Sequence, residues 1–422
     1  MNKLIDFIES SKTPYHCIAE TEKRLQAAGF TRLCEKEDRL NIKEQGAYYV
    51  VRNDASLIAF VLPQNTVKRF HIVAAHSDSP AWKIKENPAL TVENAYVKLN
   101  VEKYGGMILS TWLDRVLGIA GRVIVKEKEK LVSKNIDLGP DVCVIPNVSI
   151  HLNNEINKGY EYNAQTDMLP LYSGDTGVSL TEDIAKQLNV NKEDILGSDL
   201  YLYHGQKGQL FGRNKEFILA PRLDDLMCVY GALEAFLQTA KEETPMDTVN
   251  LLAIFHNEEV GSCTMQGADS DFLSKVMKKI GKITGCDDVS DLYQDSFILS
   301  ADNAHALHPN HPEKSDLTNR PVLNGGVVLK FHGNAKYMTD AYSAARVREL
   351  AKQAGITLQN YANRSDIAGG STLGNILTSQ VAVPGADIGL PQLAMHSSME
   401  TAGTKDLEDL MKLLTKFYAP LS

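Results

Sequence analysis

The sequence predicts an α/β protein with a central mixed sheet sandwiched by helices and a β-rich second domain inserted into it. Apolar runs of strand length alternate with amphipathic stretches of helix length near both ends of the chain, a pattern typical of sheets covered by helices. Between residues 89 and 212, short strand-like pieces are instead separated by Gly, Asn and Lys turns. We therefore expect one domain formed by 1–88 and 213–422 and an inserted domain formed by 89–212.

The individual elements follow from periodicity and from breaker residues. Pro14 and Gly29 bound an amphipathic helix at 15–28, because proline favours the first turn of a helix and glycine favours its end. In the first domain, strands are expected at 47–52, 57–62, 70–75, 249–255, 296–301 and 327–331. Further helices are expected at 224–241, 271–283, 341–354 and 405–418. In the insertion, strands are expected at 97–101, 121–125 and 142–150, with one helix at 180–188.

Composition disfavours several classes of function. The 422 residues are 43% hydrophobic and carry a net charge of -9, whereas general nucleic-acid binding needs a basic surface. The start of the chain lacks the apolar core and cleavage site of a signal peptide, and no apolar run approaches the ~20 residues that span a bilayer. The six cysteines include no Cys-x-x-Cys pair. We expect a cytoplasmic protein with reduced thiols and no membrane or nucleic-acid partner.

Potential metal ligands lie at or just beyond the ends of predicted elements. These ligands are His76, Asp224, Glu259, Asp302 and His396, and Glu258 stands beside Glu259. Each alone has an ordinary explanation as a solvated glutamate, a hydrogen-bonded histidine, or a capping or turn aspartate. Together, two imidazoles and three carboxylates suit zinc, cobalt or manganese. They are too many for one tetrahedral catalytic zinc and the right number for two metals that share a bridging carboxylate.

A series of short motifs extends over nearly the whole chain. The motifs are Pro14-Tyr-His16, His76-Ser-Asp-Ser-Pro80, Ser110-Thr-Trp-Leu-Asp-Arg115, Ile150-His-Leu152, Ala220-Pro-Arg-Leu-Asp-Asp225, His256-Asn-Glu-Glu-Val-Gly-Ser262, Ser300-Ala-Asp-Asn-Ala-His-Ala306, His308-Pro-Asn310, Gly369-Gly-Ser-Thr372 and Met395-His-Ser397. In sequence and in order, they resemble the aspartyl aminopeptidase family of cocatalytic metallopeptidases. The resemblance implies a zinc-exopeptidase-like first domain and a dimerisation or lid role for the inserted one.

Carried over residue by residue, the resemblance divides the ligands between two divalent ions. His76 and Asp302 would hold one ion, and Glu259 and His396 would hold the other. Asp224 would bridge both. Zinc is the expected metal, with cobalt or manganese as alternatives.

The same carry-over gives catalytic roles to Glu258 and Asp78. Glu258 would be the general base that takes a proton from a water held between the two ions. The resulting hydroxide would attack the first peptide carbonyl, and Glu258 would return the proton to the leaving amine. Asp78 would orient the His76 imidazole. The family usually has Asn at the position of Asp225, and the peptide bond between Asp224 and Asp225 is expected to be cis.

The implied activity is removal of an unblocked N-terminal Asp or Glu from peptides. The family lysine that meets the acidic side chain corresponds to Lys330, although Val327 replaces the proline of the family's motif. Tyr337 and His308 are further expected substrate contacts. Lys336 stands where the family has arginine.

The resemblance also implies an assembly. His151 corresponds to a residue that reaches from the inserted domain into the active site of a neighbouring subunit and stabilises the oxyanion. Dimers of the family assemble into a tetrahedral dodecamer that encloses a chamber. Such enclosure would restrict substrates to peptides.

Two alternative functions fit the same residues. One is a related cocatalytic aminopeptidase of glutamyl, leucyl or broad specificity, which a comparison of N-terminal Asp, Glu, Leu and Ala substrates would reveal. The other is a catalytically silent assembly shell. Such a shell would tolerate loss of its base, whereas Glu258 and all five ligands are present.

Overall fold

The computed structural model describes residues 1–36, 42, 46–63, 65–241 and 246–419, which form two compact units. The first unit comprises Met1–Asp78, Gln209–Met395 and Glu400–Ser422, and the second comprises Ser79–Gly208 and His396–Met399. The range 89–212 stays a prediction of where a separately folding domain begins and ends.

The described residues form helices and strands in the following order. The helices are α1 (Asn2–Ser10), α2 (Pro14–Ala27), α3 (Leu180–Leu188), α4 (Leu223–Thr239), α5 (Phe272–Thr284), α6 (Ala341–Ala354), α7 (Leu373–Gln380) and α8 (Asp406–Tyr418). The strands are β1 (Thr31–Leu33), β2 (Ala47–Arg52), β3 (Ser56–Val61), β4 (Arg69–His76), β5 (Ala81–Val92), β6 (Tyr96–Tyr104), β7 (Val116–Glu127), β8 (Lys130–Asp137), β9 (Cys143–Val144), β10 (Leu171–Ser173), β11 (Ile195–His204), β12 (Gln209–Phe211), β13 (Phe217–Ala220), β14 (Thr248–Phe255), β15 (Phe297–Ala301), β16 (Ala304–His305), β17 (Val327–Phe331), β18 (Leu358–Ala362), β19 (Gly385–Gly389), β20 (Pro391–Leu393) and β21 (Glu400–Gly403).

The first unit is built on a nine-stranded mixed sheet with the strand order β1-β2-β3-β14-β4-β15-β19-β17-β18. Strands β14, β4, β15 and β19 run parallel at its centre, while β3 and β17 pair antiparallel with their neighbours in this central group. Every residue of β3, β14, β15 and β19 is buried, as expected for strands covered on both faces. The predicted mixed sheet is therefore confirmed.

Helices cover both faces of this sheet. Because side chains alternate along a strand, Val73 and Ala75 of β4 join one apolar cluster and Ile72 and Ala74 join another. The first cluster includes buried residues of α1, α2, α4, α6 and α8, and the second includes those of α5 and α7. The sandwich predicted from the alternation of helices and strands is thus present.

The second unit is β-rich. Its antiparallel sheet has the order β11-β5-β6-β10-β9-β7-β8, and β11 also pairs with β7, so the sheet closes on itself around an apolar core. A Cβ at Gly121 of β7 would lie 2.0 Å from the Asp199 carbonyl oxygen of β11. Only glycine allows the two backbones to approach this closely.

Most predicted elements are observed within a residue or two. The strands at 47–52 and 327–331 and the helices at 180–188 and 341–354 have the predicted bounds. The strand expected at 142–150 is wrong beyond Val144: Ile145 forms only an isolated bridge with Leu113, and Val148 and Ile150 are exposed and belong to no strand. Within the described ranges, none of the helices combines the length and apolarity needed to cross a bilayer.

Candidate metal centre

Three neighbouring parallel strands deliver polar side chains to one edge of the main sheet. His76 is the last residue of β4, and β4 pairs with both β14 and β15. Asp302 directly follows β15, and Glu258 and Glu259 lie in a 3-10 turn shortly after β14. Since the carboxyl ends of parallel strands meet at the same edge, these four side chains are brought to one place by topology.

We call the resulting group the strand-end cluster; its members are His76, Asp224, Asp225, Glu258, Glu259 and Asp302. It consists of two overlapping sets, one of His76 with the three aspartates and one of His76 with the two glutamates. Within each set, potential ligand atoms lie within 4.8 Å of one another. The Nε2 atom of His76 is 3.6 Å from Asp224 Oδ1 and 4.0 Å from Asp302 Oδ1. Four of the five predicted ligands and the predicted base therefore lie together.

His396, the fifth predicted ligand, belongs to the second unit. It lies in the segment 396–399 between β20 and β21, and its carbonyl accepts a hydrogen bond from the Ile108 amide. Its backbone has a left-handed conformation with φ 65°. The role of His396 as a ligand stays a prediction.

Asp224 is held by its backbone at the start of α4. Its amide donates a hydrogen bond to Glu400 Oε2 at 3.0 Å, and Gln392 Nε2 lies 3.4 Å from the other oxygen of Glu400. Asp224 has non-helical backbone angles, and the peptide bond between Asp224 and Asp225 is cis, which confirms the expectation from the resemblance.

Sequence reasoning treated Asp225 only as a departure from the family, but the structure places it inside the cluster. Its side chain is fully buried, and its Oδ2 atom accepts a hydrogen bond from the His76 amide at 3.2 Å. Burial raises the pKa of Asp225 well above its usual range. Asn303, the residue after Asp302, donates hydrogen bonds to the Leu223 carbonyl and to Gln392 Oε1, both at 2.8 Å. The position of Asn303 directly after Asp302 was a usable signal, whereas Gln392 and Glu400 carried none.

Asp78 connects His76 to the glutamate turn. Its two carboxylate oxygens accept the backbone amides of Glu258 and Glu259, each at 3.2 Å. Its backbone carbonyl lies 3.1 Å from His76 Nδ1, so this nitrogen donates and Nε2 is left to face the cluster. Burial would raise the pKa of Asp78, but His256 and His76 outweigh it and hold this pKa well below its usual range.

The cluster concentrates carboxylates in a buried place. Burial raises the pKa of Glu258 to about 8, and it also raises the pKa values of Glu259 and Asp302, with neighbouring carboxylates adding to each shift. For His76, burial lowers the pKa, but Asp225 and Asp224 outweigh it and raise the pKa well above the usual value. Such crowding favours a bound cation, and a set of imidazole and carboxylate donors fits zinc and related divalent ions.

The predicted substrate residues lie in two places. Lys330 is 2% exposed, its Nζ atom is 3.7 Å from Asp302 Oδ1, and it lies 5.6 Å from the ring centre of Tyr337. These two residues therefore adjoin the cluster. His308 lines a separate cavity of about 300 Å³, together with His305 and Arg364.

His151 lies in the second unit, exposed in a turn. Its neighbours Ile150 and Leu152 are 55% and 83% exposed. Exposed apolar residues on both sides make this turn an unusual surface for a protein in water.

The sequence model described as "Aminopeptidase I zinc metalloprotease (M18)" matches residues 7–418. The chain belongs to the M18 family. It is 41% identical over 429 residues to the probable M18 family aminopeptidase 2 of Clostridium novyi (strain NT), covering 99% of this chain and 98% of that relative.

Solved structures show the same M18 fold. The crystal structure of prApe1 matches with a TM-score of 0.94 and 30% identity, covering 99% of this chain and 94% of that one. The S. cerevesiae mApe1 dodecamer matches with a TM-score of 0.87 and 30% identity, covering 99% and 95%. Membership of the M18 family makes this chain a metal-dependent aminopeptidase, and the strand-end cluster supplies side chains of the kind that such an enzyme needs.

Proposed function

We propose that this M18 protein uses two divalent ions, zinc being the first choice, to remove N-terminal Asp or Glu from peptides, with Glu258 as the general base. The observation that carries the proposal is the joint placement of Glu258, Glu259 and His76 at one sheet edge. In this proposal, His76 and Asp302 would hold one ion. Glu259 and His396 would hold the other, and Asp224 would be a ligand of both.

The residues around Glu258 suit a proton carrier. Bound divalent cations would supply Lewis-acid chemistry, lowering the pKa of a water and polarising the scissile carbonyl. Glu258, which is not assigned as a ligand, accepts the proton of the attacking water and passes it to the leaving amine. Asp78 holds the backbone amides of the glutamate turn, so it fixes the direction of Glu258 and the ring of His76 at the same time. Asp78 is therefore a positioning residue.

The preference for acidic residues is supported by Lys330. Its buried ammonium has Asp302 at 3.7 Å, and Asp302 raises the Lys330 pKa against the lowering effect of burial. A charged amine beside the cluster can pair with a substrate carboxylate in a partly dehydrated site. The centre of the Tyr337 ring lies 5.6 Å from the Lys330 amine.

This specificity is tested by comparing Lys330→Met and Lys330→Arg with the wild type on peptides that begin with Asp, Glu, Leu and Ala. Loss of one charge-assisted hydrogen bond should lower kcat/KM for acidic substrates at least ~10-fold relative to Leu. Lys330→Arg, which keeps the positive charge, should retain part of the preference for acidic substrates. Lys352→Met, at an exposed position of α6, serves as the control. Faster cleavage of Leu or Ala than of Asp and Glu by the wild type would favour the broad-specificity alternative.

We also propose that the chain forms a homo-oligomer, a dodecamer built from dimers, in which His151 acts in a neighbouring subunit. The exposed Ile150 and Leu152 on either side of His151 support a buried position for this turn in an assembly. The relative mApe1 is a dodecamer in its solved structure.

Mixing two inactive variants tests action between subunits. If His151 of one subunit serves the site of the other, a dimer of His151→Ala with Glu258→Gln contains one complete site. After co-expression, random pairing should restore about a quarter of the wild-type activity. No recovery in assemblies that contain both variants would exclude action between subunits.

A further inference from the structure

A second cavity in the first unit lies far from the metal centre. It has a volume of about 380 Å³ and is bounded by α6, α8 and the beginnings of β4 and β15. His71, Phe297, Arg346 and Phe417 are among the residues that line it. His71 precedes His76 by five residues on β4, so the cavity lies roughly 17 Å along the strand from the cluster, at ~3.3 Å per residue.

His71 presents unsatisfied polar atoms to this cavity. It is 2% exposed, and neither ring nitrogen has a hydrogen-bond partner within the described part of the chain. Its ring stacks on Phe417 with 4.8 Å between centroids, and the backbone of Phe417 opposes the lowering of the His71 pKa by burial. Leaving a buried polar group without a partner is costly, so a ligand that bonds to this ring would remove a penalty.

The lining of the cavity also carries more positive than negative charge. The Arg346 guanidinium lies 4.3 Å from the centre of the Phe297 ring. Burial lowers the pKa of Arg346, Tyr342 opposes this shift, and Arg69 adds to it. Lys416 adds a second cation to the lining. The acidic residue of the lining is Glu349, which lies 3.4 Å from the Gln353 amide nitrogen.

We propose that this cavity binds a small aromatic carboxylate, with the carboxylate held by Arg346 and His71 and the aromatic ring packed against Phe417. The charge of the lining selects an anion, and its two phenylalanine rings select a flat apolar body. The volume lies within the ~300–1,000 Å³ range of ligand pockets. Burial lowers the pKa of His71 to about 4, and Arg346 and Arg69 contribute, so the neutral ring has one nitrogen to donate and one to accept.

Calorimetric titration of the full-length assembly tests the proposal. Benzoate is compared with benzyl alcohol, which keeps the ring without the charge, and with acetate, which keeps the charge without the ring. We expect saturable binding of benzoate, one molecule per chain, at least ~10-fold tighter than either analogue. Arg346→Gln should weaken benzoate binding at least ~10-fold. The matched control Arg348→Gln, at an exposed position of the same helix, should not change it.

Two further measurements keep the result interpretable. If Arg346→Gln does not assemble, Lys416→Gln replaces it and should also weaken binding. The titration is repeated after removal of metal with a chelator, where benzoate binding should persist because the cavity contains none of the cluster residues. Equal binding by the Gln variants and the control, equal affinity for benzyl alcohol, absence of saturation at millimolar benzoate, or loss of binding on metal removal would each overturn the proposal.

Discussion

Two histidines of one strand show how differently the two ends of the main sheet are built. His71 and His76 both lie in β4 and are 2% and 1% exposed. Burial lowers the pKa of both rings, but carboxylates raise the pKa of His76 well above the usual value, whereas arginines help to lower that of His71 to about 4. Burial alone therefore does not determine what a buried histidine does; the charges brought to it by other elements decide.

The difference follows from what each end of the strand meets. The carboxyl end of β4 faces acidic residues that come from β15, from the turn after β14 and from the start of α4. The amino end faces the basic side chains of Arg346 and Lys416, on α6 and α8. The first arrangement attracts cations and the second attracts anions. The predictions below test this division.

Replacement of the two histidines should give the largest contrast. His76→Gln removes a proposed metal ligand and should lower zinc affinity and peptidase activity at least ~10²-fold, since even the residues that support ligands contribute ~10–100-fold. His71→Gln should keep both within a factor of about two, because the ring is five residues from the cluster. Zinc content after dialysis against limiting free zinc and kcat/KM measure the effect. Equal loss in both variants would show that the two ends of β4 are not separate.

A smaller effect is expected from Asp78→Asn. This change keeps the shape of the side chain but removes the charge that His76 and the glutamate turn use. Zinc affinity or kcat should fall ~10–100-fold, with KM nearly unchanged because Asp78 is not assigned a substrate contact. A pure loss of thermal stability with wild-type kcat and zinc content would contradict the positioning role.

The pH dependence of stability should show the effect of His71. Its pKa is about 4 in the folded chain against a usual value of 6.5, so the unfolded chain binds more protons between these values. The stabilisation from the neutral buried ring is complete above pH 6.5 and is lost as the pH falls towards 4. At pH 5 the loss amounts to about 2 kcal/mol. His71→Phe should lack this dependence.

The measurement is denaturant unfolding of chelator-treated wild type and His71→Phe at pH 7 and pH 5. The strand-end cluster titrates in both proteins and cancels in the difference. The advantage of the wild type over the variant should shrink by about 2 kcal/mol at pH 5. Identical changes in both proteins would show that His71 has an ordinary pKa.

The sheet and most of the strand-end cluster were predictable because their signals are local. The apolar run of β14 and the glutamates after it are adjacent in sequence, and the parallel order of strands then brings His76 and Asp302 to the same edge. Asp225 and Glu400 were missed because their roles depend on backbone contacts between distant segments. Lys330 was expected only from the resemblance, because no local pattern reveals the direction of its side chain.

The strand predicted at 142–150 was wrong for a different reason. Val148 and Ile150 have the composition of a buried strand, yet both are more than half exposed. An apolar pattern indicates surface that avoids water, and it does not distinguish burial within a chain from burial in an assembly. His71, which lines the second cavity of the first unit, lies inside an apolar run. No local pattern therefore marked it as a ligand-binding residue.

The most direct test of the central claim is the reaction of Glu258→Gln, with zinc content assayed beside the hydrolysis of Asp-, Glu- and Leu-terminated peptides. The proposed general base predicts a fall in kcat of at least ~10²-fold, with wild-type zinc content, because Glu258 is not assigned as a ligand. Full activity of a zinc-loaded Glu258→Gln enzyme would contradict the assignment of Glu258 as the base.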